Sequence, residues 1–115
     1  MAWASRKSKY GAVKAVIDDI TFDSKKEARR YSELLLLVKA GEIEHLELQV
    51  QIELRGESGP LLTPTGRPMT YVADFVYRDA HTGHCVIEDT KGFKTPVYLL
   101  KKAILAAQGV HIRET

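Results

Sequence analysis

The chain has 115 residues, with 17 Lys and Arg against 15 Asp and Glu for a formal net charge of +2, and it is 44% hydrophobic and 28% charged. Those values suit one globular domain with its own core and exclude a second domain, a low-complexity chain or a disordered one. The sole cysteine, Cys85, excludes an internal disulfide and points to a reducing, cytoplasmic compartment, while the lack of a signal-peptide core and of any apolar run longer than Leu34 to Val38 excludes a membrane role.

The charge is uneven along the chain. Residues 1–40 hold 9 Lys and Arg against 5 Asp and Glu, residues 41–68 hold 2 against 5, and residues 69–115 hold 6 against 5. A basic first third suits a phosphate-bearing partner. Residues 1–11 read as a flexible basic arm, because Ser, Lys and Arg alternate there without apolar periodicity; residues 12–115 are the folded domain. From Val13 to Phe22, β-branched residues flank Asp18 and Asp19, which predicts a short hairpin with an acidic turn. Ser24 with Glu27 three residues on is a capping box, and the helix formers that follow predict a helix to about Lys39, closed by Ala40 and Gly41.

Leu46, Leu48, Val50, Ile52 and Leu54 alternate with Glu47, Gln49, Gln51 and Glu53, the pattern of a strand with one buried face. The Gly- and Pro-rich stretch from Arg55 to Pro68 reads as a loop with no regular element. Tyr71 to Arg78 and Cys85 to Lys91 predict two strands joined across Asp79 to Gly83, and their apolar character on both faces makes them central. Thr95 and Pro96 open a second helix as N-cap and first helical residue, with Val97, Leu100, Ile104 and Ala107 as its apolar stripe and Gly109 near its end. Val110 to Ile112 is expected to close the sheet. The expected fold class is α/β, with helices flanking a central mixed sheet.

Asp74 interrupts the otherwise apolar and aromatic strand Tyr71 to Tyr77, and a carboxylate there requires a compensating partner. Asp89 and Lys91 are two residues apart on the next strand, so its period of two sets both on one face. Phosphodiester hydrolysis calls for carboxylate oxygens to hold a hard divalent cation, and for a cationic group to orient water or steady the developing charge. Asp74, Asp89 and Lys91 are candidates for those parts. His81, His84 and Cys85 lack the fourth ligand and the spacing of a structural zinc site.

With an acidic residue on the first helix, an Asp on the second core strand and Asp-x-Lys on the third, the chain resembles the PD-(D/E)XK nuclease superfamily, whose core is an α-β-β-β-α-β unit. Lys9-Tyr-Gly11, Ile20 to Glu27, Tyr71 to Phe75, Glu88 to Gly92 and Thr95 to Tyr98 bring it closest to short bacteriophage endonucleases and Holliday-junction-resolvase-like proteins of that superfamily. Ala73 stands where the superfamily name has Pro. The resemblance implies a restriction-endonuclease-like core and Mg²⁺, or Mn²⁺ in its place, held by Asp74, Asp89 and the Thr90 backbone carbonyl. It gives Glu27 support of the metal from the helix and Lys91 the positioning of water. It further implies cleavage of branched or duplex DNA in the bacterial cytoplasm, and symmetric cutting would need a homodimer. Glu88 is expected to point to the face opposite Asp89.

Arg6, Lys7, Lys9, Lys25, Lys26, Arg29, Arg30, Tyr98, Lys101 and Lys102 are the candidate DNA contacts, each with a competing role on a solvated face. Glu27 likewise serves a capping box without any metal. Gln49 and Gln51 face either substrate or solvent. The competing function is a non-catalytic nucleic-acid- or protein-binding module on the same fold.

Overall fold

The structure, a computed structural model, describes residues 14–90 and 93–115. Strands β1 (Ala15–Ile17) and β2 (Ile20–Phe22) form an antiparallel hairpin. Its two turn residues, Asp18 and Asp19, both take positive φ, 52° and 63°. That is the backbone a two-residue hairpin turn demands, and Asp tolerates it better than most side chains.

Helix α1 (Lys25–Lys39) starts where the Ser24 side chain accepts the Glu27 N–H at 3.1 Å. Glu27, Ala28, Tyr31 and Leu34 recur at helical spacing and form its buried face. That face packs on Phe22, Ile43, Phe75 and Tyr77 in a first apolar cluster, with the Phe22 and Tyr31 rings 5.0 Å apart.

Strand β3 (Ile43–Glu53) keeps the alternation its sequence announces. The segment after it departs from expectation: β4 (Arg55–Gly56) and β5 (Gly59–Pro60) pair as a tiny ribbon, and Leu62 bridges Pro68. The chain reverses at Glu57 and Ser58, Gly59 follows at φ 138°, which glycine tolerates, and Leu61 returns to pack on the second apolar cluster. Burial of Leu61 therefore organises a stretch whose composition reads as pure loop.

Strands β6 (Thr70–Asp79) and β7 (Cys85–Asp89) follow, then helix α2 (Pro96–Ala107) and β8 (Ile112–Glu114). The main sheet has the order β3-β6-β7-β8, with β6 and β7 central as their apolar composition predicts. Only the β7–β8 pairing is parallel, so the sheet is mixed. Strand β8 begins two residues later than the sequence suggests, because Val110 is used to close α2, its N–H bonding the Leu105 carbonyl at 2.9 Å.

Thr95 caps α2, accepting the Tyr98 N–H at 3.1 Å, and Pro96 is its first residue. The helix is rotated from the expected setting. Val97 and Leu100 are 61% and 62% exposed, whereas Tyr98 and Leu105 are buried in the second cluster with Leu54, Tyr71 and Ala73. Aromatic area decides this: Tyr98 packs against the Tyr71 ring, 6.1 Å between centroids, and buries more surface than a valine could. Among the described residues, no helix is long and apolar enough to cross a membrane.

Candidate active site

Phe75 pairs with Glu88 across β6 and β7, so one step further along the ladder Asp74 stands across from Asp89. Residues opposite one another in an antiparallel pair project from the same face. The two carboxylates therefore share a face. Asp89 is 0% exposed and Asp74 half-buried. The Thr90 N–H donates to Asp74 Oδ2 at 2.9 Å, which ties the exit of β7 to β6, and Thr90 itself is buried.

Glu27 reaches the same place from α1. Burial foremost, then the charges of Asp74 and Asp23, a hydrogen bond with Asp74 and the charge of Asp89 push its carboxyl up to about 8. The shift favours the protonated carboxyl, which can share its proton with Asp74 in their hydrogen bond. Its capping position and its contact with the acids coexist, since only its backbone N–H serves Ser24.

Glu88 lies on the other face, as the period of two requires. It is 0% exposed, and Arg30 grips it with Nε to Oε1 at 2.9 Å and Nη2 to Oε2 at 2.7 Å. The Tyr77 hydroxyl donates to Glu88 as well, and Arg113 Nη1 donates to that hydroxyl at 3.3 Å. Burial pushes the Glu88 carboxyl up, but the Arg30 and Tyr77 hydrogen bonds outweigh it and hold the group below its usual range. Arg30 also bonds Glu33 at 3.0 Å. Arg30, a candidate DNA contact by sequence, thus has a partner within the fold: a fully buried carboxylate needs a cation, and Arg30 supplies it.

The α2 residues likewise have partners within the fold. Tyr98 is buried and donates to Glu114 Oε2 at 2.6 Å, Lys101 Nζ donates to the Thr70 carbonyl at 2.8 Å, and Lys102 Nζ lies 3.1 Å from Glu114. With α2 turned, these side chains face the sheet rather than the opposite side. Glu114, which pairs with Asp89 in β8, also meets Lys94 at 3.1 Å. The Tyr98 hydroxyl foremost, with Lys102 and Lys94, holds its carboxyl down at about 2. No sequence signal marks Glu114, which lies beyond the segment Val110 to Ile112 expected to close the sheet.

Lys25, Lys26 and Arg29 are exposed on the first turns of α1. Lys26, Arg29 and Arg30 line an open cleft of about 180 Å³ with Glu33, Thr90 and Thr115, so this basic surface adjoins the acidic cluster. Lys91, Arg6, Lys7 and Lys9 lie outside the described residues.

Gln49 sits between the pairs Leu48–Phe75 and Val50–Ala73, which places it across from Asp74. Its Nε2 donates to Asp74 Oδ1 at 3.4 Å, and its backbone is left-handed, φ 52°. Strict alternation through β3 conceals this, so no sequence signal marks it.

Among the described residues, no three His, Cys, Asp or Glu side chains are gathered closely enough to hold a metal ion. The donor chemistry nonetheless suits a hard divalent cation: carboxylate oxygens of Asp74 and Asp89 across one strand pair, with the Glu27 carboxyl bound to Asp74 through a proton that a cation would replace. A family model described as "Protein of unknown function (DUF1064)" matches residues 7–115, nearly the whole chain, and the chain belongs to that family. No curated protein and no solved structure matches it.

Proposed function

We propose that this DUF1064 protein is a metal-dependent DNA endonuclease of the PD-(D/E)XK type. The observation that carries the reading is the convergence of Asp74 on β6, Asp89 on β7 and Glu27 on α1 at one end of the central strands, in a helix, three strands, helix, strand order for the main sheet and its helices. That order is the one the superfamily resemblance requires, and it supports a restriction-endonuclease-like core. The exposed Lys25, Lys26 and Arg29 beside the acids supply a surface for a phosphate backbone.

Asp74 and Asp89 would hold Mg²⁺ or Mn²⁺, with Glu27 and the Thr90 backbone beside them. When bound, the ion supplies charge neutralisation and a more acidic water. The chain's residues do the rest. The Thr90 N–H fixes one oxygen of Asp74, burial of Asp89 excludes competing water, and Lys91 orients the attacking water or steadies charge on the phosphate. Branched DNA, such as a Holliday junction, is the substrate class we infer, since a domain this small has little room for a separate sequence-reading module.

A binding module on the same fold is the competing reading, favoured by the absence, among the described residues, of three side chains gathered for a metal. Incubation with junction, duplex and single-stranded DNA in Mg²⁺ or Mn²⁺, beside calorimetry of the metal alone, separates the two. The nuclease predicts cleavage, and metal binding that Asp74→Asn removes. DNA binding without either result selects the binding module.

A further inference from the structure

The geometry points to Gln49 as a positioning residue that sets the Asp74 carboxylate, an inference that rests on the nuclease reading. Gln49 lies inside an eleven-residue strand, yet its φ is 52°. For a residue with a long side chain this left-handed backbone is unfavourable, because Cβ crowds the following carbonyl, and such strain persists only where its surroundings impose it. Neighbouring pairs on both sides, Leu48 with Phe75 and Val50 with Ala73, stay in register, so no shift of the ladder there demands the kink. The other left-handed residue of β3, His45, does lie in a register shift, between Glu44 and Glu47.

What the conformation accompanies is a contact. The Gln49 carboxamide donates from Nε2 to Asp74 Oδ1 at 3.4 Å, while the Thr90 N–H donates to Oδ2 of the same carboxylate at 2.9 Å. With the Glu27 hydrogen bond to the same carboxylate, a donor on each oxygen fixes its rotation about the Cβ–Cγ bond. A ligand held in one orientation binds a cation with less ordering cost than one that must be oriented on binding. Gln49 is exposed and Thr90 buried, so the two clamps differ: Thr90 is part of the backbone, and Gln49 is an adjustable arm at the substrate side. Gln51, two residues on, is also exposed and pairs with Val72 rather than an acid. The role belongs to Gln49.

Two variants test this against a merely structural role. Gln49→Gly accepts the left-handed backbone without strain but removes the arm. Its melting temperature should equal or exceed that of the wild type, while kcat on junction DNA and Mg²⁺ affinity by calorimetry fall about tenfold to a hundredfold, with KM for DNA unchanged. Gln49→Glu keeps the size and the strain but loses the donor and adds a like charge. It should lose as much kcat without the gain in melting temperature. Wild-type cleavage and Mg²⁺ affinity in Gln49→Gly would overturn the inference and leave the nuclease reading standing. So would a fall in melting temperature that accounts for its lost activity. A wild-type protein that neither cuts DNA nor binds Mg²⁺ removes the nuclease reading and this role together.

Discussion

Arg30 and Glu88 are joined by two hydrogen bonds, 2.9 and 2.7 Å, between half-buried Arg30 on α1 and a fully buried position of the central strand β7. Asp89, the next residue, serves the acidic cluster on the other face, so this pair and the candidate site are built from adjacent residues of one strand. Removing one partner strands a buried charge, whereas replacing both by apolar groups need not. Arg30→Ala should therefore destabilise the fold by about 3–5 kcal/mol, and Arg30→Met with Glu88→Leu should cost far less. Urea denaturation of the two variants measures the difference, and equal losses would contradict it.

Asp74→Asn and Lys91→Ala should each abolish cleavage while leaving DNA affinity in Ca²⁺ close to wild type, because affinity comes mainly from phosphate electrostatics. Mg²⁺ should also raise the melting temperature of the wild type and not that of Asp74→Asn. A ligand at a hundred times its Kd stabilises by about 2.7 kcal/mol, enough to see in a thermal scan. Near-normal cutting by either variant would remove that residue from the site.

The placement of the basic residues makes a sharper forecast than their number. Lys25, Lys26 and Arg29 are exposed near the acids, whereas Lys101 is bonded to the Thr70 carbonyl and Lys102 to Glu114. In titrations of DNA binding against salt, Ala at Lys25, Lys26 or Arg29 should each reduce the slope of log K by about 1. Lys101→Ala should leave the slope alone and lower stability instead. A lost unit of slope at Lys101, with none at Lys26 and Arg29, would reverse the assignment of the DNA-facing surface.

Much of this arrangement is legible in the sequence, and the exceptions share a cause. Period-two reasoning places Asp89 on one face and Glu88 on the other, because side-chain direction in a strand is set by the backbone; that Asp74 shares the face of Asp89 is decided by the β6–β7 register. Local chemistry likewise predicts both helix starts, Ser24 and Thr95, and the turn at Asp18 and Asp19. The rotation of α2 is not legible, since Val97 and Leu100 make as good an apolar stripe as Tyr98 and Leu105 until the Tyr71 ring is in place. Nor is the role of Arg30, which looks like its exposed neighbour Arg29 until the buried Glu88 lies opposite. Tertiary partners decide both. Gln49 escapes because a left-handed residue in a strand changes neither composition nor alternation.

Glu27 gives the most direct reading of the acidic cluster without DNA or metal. Its folded-state carboxyl is raised from 4.5 to about 8, first by burial and then by Asp74 and its neighbours. A raised pKa means that the folded state holds its proton more tightly than the unfolded chain. The stability this confers is complete below pH 4.5 and is lost progressively as pH rises through about 8. Glutamine mimics the protonated carboxyl and cannot ionise. Glu27→Gln should therefore match the wild type in melting temperature at pH 5 and exceed it at pH 9, with the gap opening between those limits. Mg²⁺ should narrow the gap at pH 9 by stabilising the ionised wild type, because the cation offsets the repulsion that the mutation removes. Thermal scans of both proteins at the two pH values, with and without Mg²⁺, provide the test. A gap equal at pH 5 and pH 9 would show that Glu27 is ionised throughout and that the three carboxyl groups do not interact as described.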